Sequence, residues 1–183
     1  IILATTTPDN TFPSTASKIQ RNLGCEAISF DVQAVCAGFI YAISIGVAML
    51  KDTHGKKCLV IGADSMSKIL DWNDRSTSVL FGDGAGAVVL EKKNVINETV
   101  ENNQWGVLAS KIFTNGEYYD LLSTDGGVSK NKSTGFLRMN GKEIFKHAVE
   151  KLSSSLLMCL EECNMNINDL VWLIPHQANQ RII

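Results

Sequence analysis

The sequence predicts an α/β fold built on a mostly parallel sheet covered on both faces, and three observations carry that prediction. Apolar strand-like runs alternate with helical ones in the order β-α-β-α-β from Ile1 to Ala63. Lys57 to Ala63 is a continuous apolar run bounded by charge, as expected of a strand enclosed on both faces. The run Cys36 to Leu50 has 15 residues without a charge, which marks a core helix and falls short of the roughly 20 residues needed to cross a bilayer.

The elements follow in order. Ile1-Ile2-Leu3-Ala4-Thr5-Thr6-Thr7 reads as a strand, and Pro8-Asp9-Asn10 with Phe12-Pro13 turns the chain. Ser14 can then cap a helix that Gly24 stops. Strand Ala27 to Val32 leads into the Cys36 helix, which Thr53-His54-Gly55 closes. Val79-Leu80-Phe81 runs into Gly82-Asp83-Gly84-Ala85-Gly86-Ala87 and then Val88-Val89-Leu90. A β-branched strand follows those glycines where a phosphate loop would need a helix N-terminus, so they predict close backbone packing within a strand. Lys92 to Asn103 is polar and reads as a surface connection, Trp105 to Thr114 as a strand, and Asp125 to Ser133 as a loop. Ile144, Ala148, Leu152 and Leu156 recur at helical spacing in an amphipathic helix from Gly141 to Cys163. Strand Leu170 to Ile174, a sharp Pro175-His176 and the start of another helix end the chain.

Composition narrows the function. With 17 basic and 19 acidic residues the net charge is -2, which gives no general attraction to nucleic acid or to an anionic membrane. Five cysteines, Cys25, Cys36, Cys58, Cys159 and Cys163, lack paired spacing, so a reducing compartment, the cytoplasm, is expected. Cys159 and Cys163 could share a helix face, but no nearby His or Cys completes a zinc site, and no metal is expected.

Cys36 and His176 are the chemically suggestive residues. A thiol at a helix N-terminus meets unpaired N–H groups and the positive end of the helix dipole, both of which favour the thiolate. The competing reading is a buried small hydrophobe beside Ala34, Ala37 and Gly38. His176 follows Val171-Trp172-Leu173-Ile174-Pro175, the kind of strand end from which α/β sheets present residues to a ligand. A structural histidine is its alternative; together the pair suggests nucleophilic catalysis.

Three segments carry a family resemblance: Asp31-Val32-Gln33-Ala34-Val35-Cys36-Ala37-Gly38-Phe39, Phe81-Gly82-Asp83-Gly84-Ala85-Gly86-Ala87, and Trp172-Leu173-Ile174-Pro175-His176-Gln177-Ala178-Asn179-Gln180-Arg181-Ile182-Ile183. In this order they resemble β-ketoacyl-acyl carrier protein synthase III of the thiolase superfamily. The resemblance implies a layered α-β-α-β-α fold, with residues 1–95 forming most of the half that carries the cysteine and 96–183 a connection and the start of the half that carries the histidine. It implies that type II fatty acid synthesis is initiated by condensing a short acyl-CoA, such as acetyl-CoA, with malonyl-acyl carrier protein. Cys36 would hold the acyl group as a thioester, and a neutral imidazole of His176 would stabilise the enolate left when malonyl loses carbon dioxide.

The same resemblance assigns CoA contacts to Arg75, Met139, Gly141, Phe145, Ala178 and Asn179. It assigns acyl carrier protein binding to Gln177, Ala178, Asn179, Gln180 and Arg181, with Lys146 as a further cation. Phe12, Phe81, Leu121 and Leu137 would shape the acyl pocket, Phe12 reaching across a homodimer interface. No permanently bound cofactor is implied; acyl-CoA is a substrate. Ser76 and Lys142 depart from the family's usual glycine and uncharged residue at those positions.

The family's N-terminal stretch and its third catalytic residue, an asparagine beyond the histidine motif, have no counterpart here. The sequence therefore reads as an incomplete piece of the fold that would not turn over alone. Three alternatives stay open: a related condensing enzyme of specialised metabolism, a catalytically incomplete thiolase-fold scaffold and, more remotely, a thiol protease.

Overall fold

The computed structural model describes residues 1–52, 54–93, 106–178 and 180–182. The chain forms two compact units, Ile1–Asp64 with Gly84–Ile112, and Ser65–Asp83 with Phe113–Ile183.

The first unit is a sheet with two helices. Its elements are β1 (Ile2–Ala4), α1 (Thr15–Leu23), β2 (Phe30–Val32), a single 3₁₀ turn (Val35–Ala37), α2 (Gly38–Asp52), β3 (Lys57–Ser65) and β4 (Asp83–Glu91). The strand order is β2-β1-β3-β4, with β1 parallel to both neighbours and Ala4 between Val32 and Gly62. The Lys92 N–H donates to the Lys56 carbonyl at 2.9 Å, which sets the end of β4 beside the start of β3, an antiparallel fit.

The helices form where local chemistry directs them. Ser14 caps α1 by accepting the Ser17 N–H at 3.3 Å, and Gly24 ends it at φ +63°, a conformation glycine adopts without a Cβ clash. Along α2 the buried residues are Gly38, Ala42, Gly46 and Leu50, one stripe at four-residue spacing. Small residues there let the helix backbone approach the sheet: a Cβ on Gly38 would come within 3.3 Å of the Ala4 Cβ. The core joins that stripe to Ile2, Cys58 and Val60, with Phe30 and Phe39 packed against it. Fully burying an Ile or Val side chain of this kind stabilises by about 1.5–3 kcal/mol.

The second unit has a different architecture. The segment after β3 makes a 3₁₀ turn at Met66–Lys68. β5 (Leu122–Thr124) and β6 (Leu137–Met139) form an antiparallel hairpin, with Leu122 opposite Met139 and Thr124 opposite Leu137. Between them lies the short α3 (Val128–Asn131), and after them the 22-residue α4 (Gly141–Glu162). Met66, Ile69, Leu70 and Leu137 make the buried cluster, and the Leu137 N–H donates to the Ile69 carbonyl at 2.8 Å. Arg138 reinforces it, its Nε donating to Asp125 at 2.8 Å and its Nη1 to Asp71 at 3.0 Å.

Several expectations need correction. β2 covers Phe30–Val32 where Ala27 to Val32 was expected, and helix α2 begins at Gly38 with Cys36 in the 3₁₀ turn before it. Residues 106–115 form no strand; Trp105 and most of Lys92 to Asn103 lie outside the described residues, as does Thr53. Leu170 to Ile174 is not a strand either: a 3₁₀ turn at Ile167–Asp169 precedes it, and Val171, Trp172 and Ile174 are more than four-fifths exposed. Apolar, β-branched composition favours a strand only where a neighbouring backbone completes the ladder. The glycines of the β4 segment do lie at or within a strand, yet among the described residues a Cβ on Gly82, Gly84 or Gly86 would meet no atom within 4 Å, so the expected close packing is not seen there. Ser65–Asp83 leaves the sheet and packs through Met66, Ile69 and Leu70 onto Leu137.

Candidate active site

Three parallel strands of the first unit end at one edge of the sheet, and their ends carry hydroxyl, carboxyl and thiol groups. β1 leads into Thr5-Thr6-Thr7, β2 into Gln33 to Cys36, and β3 ends on Asp64-Ser65. The register that places Ala4 between Val32 and Gly62 aligns these exits, and the Thr5 N–H donates to the Val32 carbonyl at 3.1 Å. This is the edge at which parallel α/β sheets hold ligands.

Cys36 occupies the 3₁₀ turn that opens α2, directly after Val35 at φ +47°. A β-branched residue in the left-handed region is strained, so the surrounding structure must hold this turn. The Gly38–Ala4 approach seats the helix mouth against the end of β1.

The electrostatics around the sulfur differ from the sequence expectation. Solvent reaches Cys36 on one side. Protein packed around the rest pushes its thiol up from the ordinary value, and the Asp64 carboxylate adds in the same direction, while the residue's own N–H draws it down. The helix-mouth effect is therefore outweighed, and the side chain is held as the thiol near neutral pH. The expectation of a thiolate in this chain is corrected accordingly.

Asp64 is tied to β1 by a dense set of donors. Its Oδ1 accepts from the Thr6 N–H and the Thr6 Oγ1, both at 2.7 Å, with Thr5 Oγ1 at 3.3 Å and Thr7 Oγ1 at 3.4 Å. Sequence reasoning missed this cluster. Its signal was present: three threonines directly after one strand and an aspartate at the end of another share an edge whenever the strands are parallel neighbours.

Phe12, also in the first unit, is 82% exposed.

In the second unit, Phe81 and Leu137 meet in one cluster with Met139. Gly141 opens α4 with Met139 beside it, since a Cβ there would lie 3.4 Å from the Met139 Cε. The Asn140 N–H donates to the Leu121 carbonyl at 2.8 Å, which holds Leu121 at the same junction. Leu121 also lines a mostly apolar cavity with Tyr118, Ile144 and His147. Arg75 sits in a turn whose Asp74 accepts from the Ser76 and Thr77 hydroxyls, at 2.6 and 3.2 Å. Those bonds hold the Asp74 carboxyl below its usual range.

Phe145 is partly exposed on α4. Lys146 is exposed one turn from Glu143, to which it donates at 3.0 Å. His176, Gln177, Ala178, Gln180 and Arg181 are exposed in non-helical chain, and Asn179 lies outside the described residues. His176 thus does not stand at a strand end as expected, because no strand forms before it. Among the described residues no group of three His, Cys, Asp or Glu side chains could hold a metal.

The chain is similar to known proteins along its whole length. Residues 30–116 match the family described as 3-oxoacyl-[acyl-carrier-protein (ACP)] synthase III. The chain is 51% identical over 184 residues to the beta-ketoacyl-[acyl-carrier-protein] synthase III of Erythrobacter litoralis, covering 100% of this chain and 56% of that protein. The crystal structure of 3-oxoacyl-(acyl carrier protein) synthase III from Pseudomonas aeruginosa PAO1 is 37% identical with a TM-score of 0.87, over 99% of this chain and 54% of that one. The enzyme structure from Aquifex aeolicus is 40% identical with a TM-score of 0.86, over 100% of this chain and 55% of that one.

The fold is thus the thiolase type that the sequence predicts. Along its whole length the chain is similar to β-ketoacyl-acyl carrier protein synthase III enzymes, and it spans 56% of the length of the curated relative from Erythrobacter litoralis.

Proposed function

We propose that the protein is an acyltransferase, a condensing enzyme that starts type II fatty acid synthesis by joining a short acyl group from acyl-CoA, acetyl in the simplest case, to malonyl-acyl carrier protein. The Cys36 sulfur, once deprotonated, attacks the thioester carbonyl of the acyl-CoA; the new S–acyl bond forms and CoA leaves as its thiol, taking up the proton. Malonyl-acyl carrier protein then loses carbon dioxide, and the electron pair of the broken C–C bond becomes a thioester enolate that His176 stabilises by donating a hydrogen bond. The enolate carbon attacks the acyl carbonyl, a C–C bond forms, the C–S bond to Cys36 breaks and 3-oxoacyl-acyl carrier protein is released.

The remaining assignments follow the family resemblance. Arg75, Met139, Gly141, Phe145, Ala178 and Asn179 contact CoA and its pantetheine arm. Gln177 to Arg181, with Lys146, receive the acidic carrier protein. Phe12, Phe81, Leu121 and Leu137 bound the acyl group, with Phe12 supplied across a homodimer. No cofactor is held permanently, and the protein works in the cytoplasm.

The observation that carries this reading is Cys36 at the mouth of α2, on the edge where three parallel strands end, in a chain half identical to such enzymes. Incubation with labelled acetyl-CoA tests it. Label is expected on the Cys36 peptide and lost in Cys36→Ala; label that persists in that variant overturns the reading.

A further inference from the structure

Two asparagines in the chain are followed by glycine, Asn115 and Asn140, and the fold holds their side chains differently. Asn-Gly is the pair at which an asparagine side chain most readily reacts with its own main chain, because glycine brings no Cβ to block the approach and lets the backbone turn. Both asparagines are exposed. Asn115 is tied into a turn: its Oδ1 accepts the Glu117 N–H at 3.0 Å, and its main-chain carbonyl accepts the Tyr118 N–H at 3.4 Å. Asn140 stands at the N-cap position of α4, yet its side chain caps nothing, and among the described residues its amide makes no hydrogen bond.

The main chain beside Asn140 favours the same reaction. Gly141 is the first residue of the 22-residue α4, so its N–H is one of the four that a helix leaves without an internal partner, at the positive end of the dipole. An amide nitrogen must give up its proton before it can attack a carbonyl, and that positive end lowers the cost of the anion. Ring closure also turns the peptide between Asn140 and Gly141, which breaks one hydrogen bond, the Ile144 N–H to the Asn140 carbonyl at 3.2 Å, at a helix end where opening costs little. At Asn115 the same motion breaks both bonds named above, and the 3₁₀ segment that follows, Gly116–Leu121, has six residues against the 22 of α4.

We propose that Asn140 is a site of spontaneous deamidation. The deprotonated Gly141 nitrogen bonds to the Asn140 Cγ, the Cγ–Nδ2 bond breaks, and ammonia leaves with the proton. Water then opens the five-membered imide: at Cγ it gives aspartate, and at the main-chain carbonyl it gives isoaspartate, whose main chain runs through one more carbon. Aspartate puts a carboxylate on an N-cap that now lacks one, facing the unpaired N–H groups of α4. Isoaspartate lengthens the link between β6 and α4 and disturbs the bond from the Asn140 N–H to the Leu121 carbonyl at 2.8 Å. Either product adds a negative charge between Met139 and Gly141. If those residues hold the CoA arm, as proposed above, the phosphates of CoA meet that charge; the reaction itself does not depend on that reading.

The test follows the two Asn-Gly pairs side by side. The protein at its native length is held in mildly alkaline buffer, and digested samples are read by mass spectrometry, with an isoaspartyl methyltransferase and labelled S-adenosylmethionine as the probe for isoaspartate. A sample unfolded in guanidinium gives the rate of each pair without the fold. In the folded protein the Asn140 peptide should turn acidic at least several-fold faster than the Asn115 peptide, with both products present, whereas in guanidinium the two rates should come close together. Gly141→Ala should slow conversion at Asn140 several-fold and leave Asn115 unchanged; among the described residues its Cβ would meet the Met139 Cε alone, at 3.4 Å, so the helix accepts it.

Equal rates at the two pairs in the folded protein, or faster conversion at Asn115, overturn the proposal. So does aspartate formed at Asn140 without isoaspartate, which would mean that water attacks the side chain directly. Should Gly141→Ala fail to fold, the comparison within the native protein decides. None of these readouts uses a substrate, so an acetyl label found away from Cys36 would refute the nucleophile assignment and leave this measurement untouched.

Discussion

Asp31 closes the start of α1 from across a strand: its two carboxylate oxygens accept the Thr15 N–H at 2.7 Å and the Ala16 N–H at 2.8 Å. Those donors are among the four that a helix N-terminus leaves unpaired, and an anion there also faces the positive end of the helix dipole. Ser14 meets the next of them, so the first turn is satisfied by one local and one distant side chain. Asp31→Ala should destabilise the protein by about 1–2 kcal/mol, the usual range for losing a helix cap, and Asp31→Asn by less. Equilibrium unfolding in urea measures both, and a change below a few tenths of a kcal/mol in the alanine variant would show that water replaces the carboxylate without cost.

Gly46 is the second position where the packing leaves little freedom. A Cβ there would lie 3.1 Å from both the Cys58 Sγ and the Leu90 Cδ1 and 3.4 Å from the Val60 Cγ2. Leucine favours helix more than glycine does, by somewhat under 1 kcal/mol, but its side chain has nowhere to go at this face. Gly46→Leu is therefore expected to cost about 1–3 kcal/mol net through overpacking, read as a lower urea midpoint. Equal or higher stability would mean that α2 lifts off the sheet more easily than its buried stripe indicates.

The thiols of Cys36 and Cys58 give the fold an alkaline weakness. Burial pushes both up, and for Cys36 the Asp64 charge adds to it. A group whose folded value lies above its unfolded one keeps its stabilising contribution below the unfolded value and loses it as pH rises toward the folded one. Stability should hold up to about pH 8.5, where an unfolded cysteine ionises, and decline above it. Cys36→Ala should flatten the decline, and urea midpoints from pH 7 upward that decline identically in the two proteins would contradict this.

Lys146 offers a test of the carrier surface. It is exposed, and its pair with Glu143 at 3.0 Å contributes little because both side chains are solvated. If this face receives an acidic carrier protein, Lys146→Glu should lower kcat/KM for malonyl-acyl carrier protein about ten-fold and weaken its dependence on salt, leaving acylation by acetyl-CoA unchanged. An equal loss in both half-reactions would argue against a carrier-specific role.

What could be read from the sequence, and what could not, follows from the range of the forces. α1 was legible in full because Ser14 and Gly24 act on their own neighbours. The start of α4 at Gly141 and its end at Glu162, against the expected Cys163, came from a hydrophobic period contained in the helix itself. The β5–β6 hairpin was missed: its strands have three residues each, and what holds them, the Leu137–Ile69 bond and the Arg138 pairs to Asp71 and Asp125, comes from remote positions. Leu170 to Ile174 has the composition of a strand, but among the described residues no strand pairs with it. At the site, the location of Cys36 between a strand and a helix was legible. The sign of its electrostatics was not, because burial, joined by the Asp64 charge 28 positions later in the chain on β3, outweighs the cysteine's own backbone N–H.

The stripe Gly38, Ala42 and Gly46 has a dynamic consequence. None of these three residues has a rotamer to exchange, so on the helix side of the seat only Leu50 in the buried stripe loses side-chain freedom on packing. The helix that follows Cys36 thus meets the sheet through Ala4, Cys58, Val60 and Leu90 with its own backbone close behind, an approach that larger side chains on this stripe would prevent.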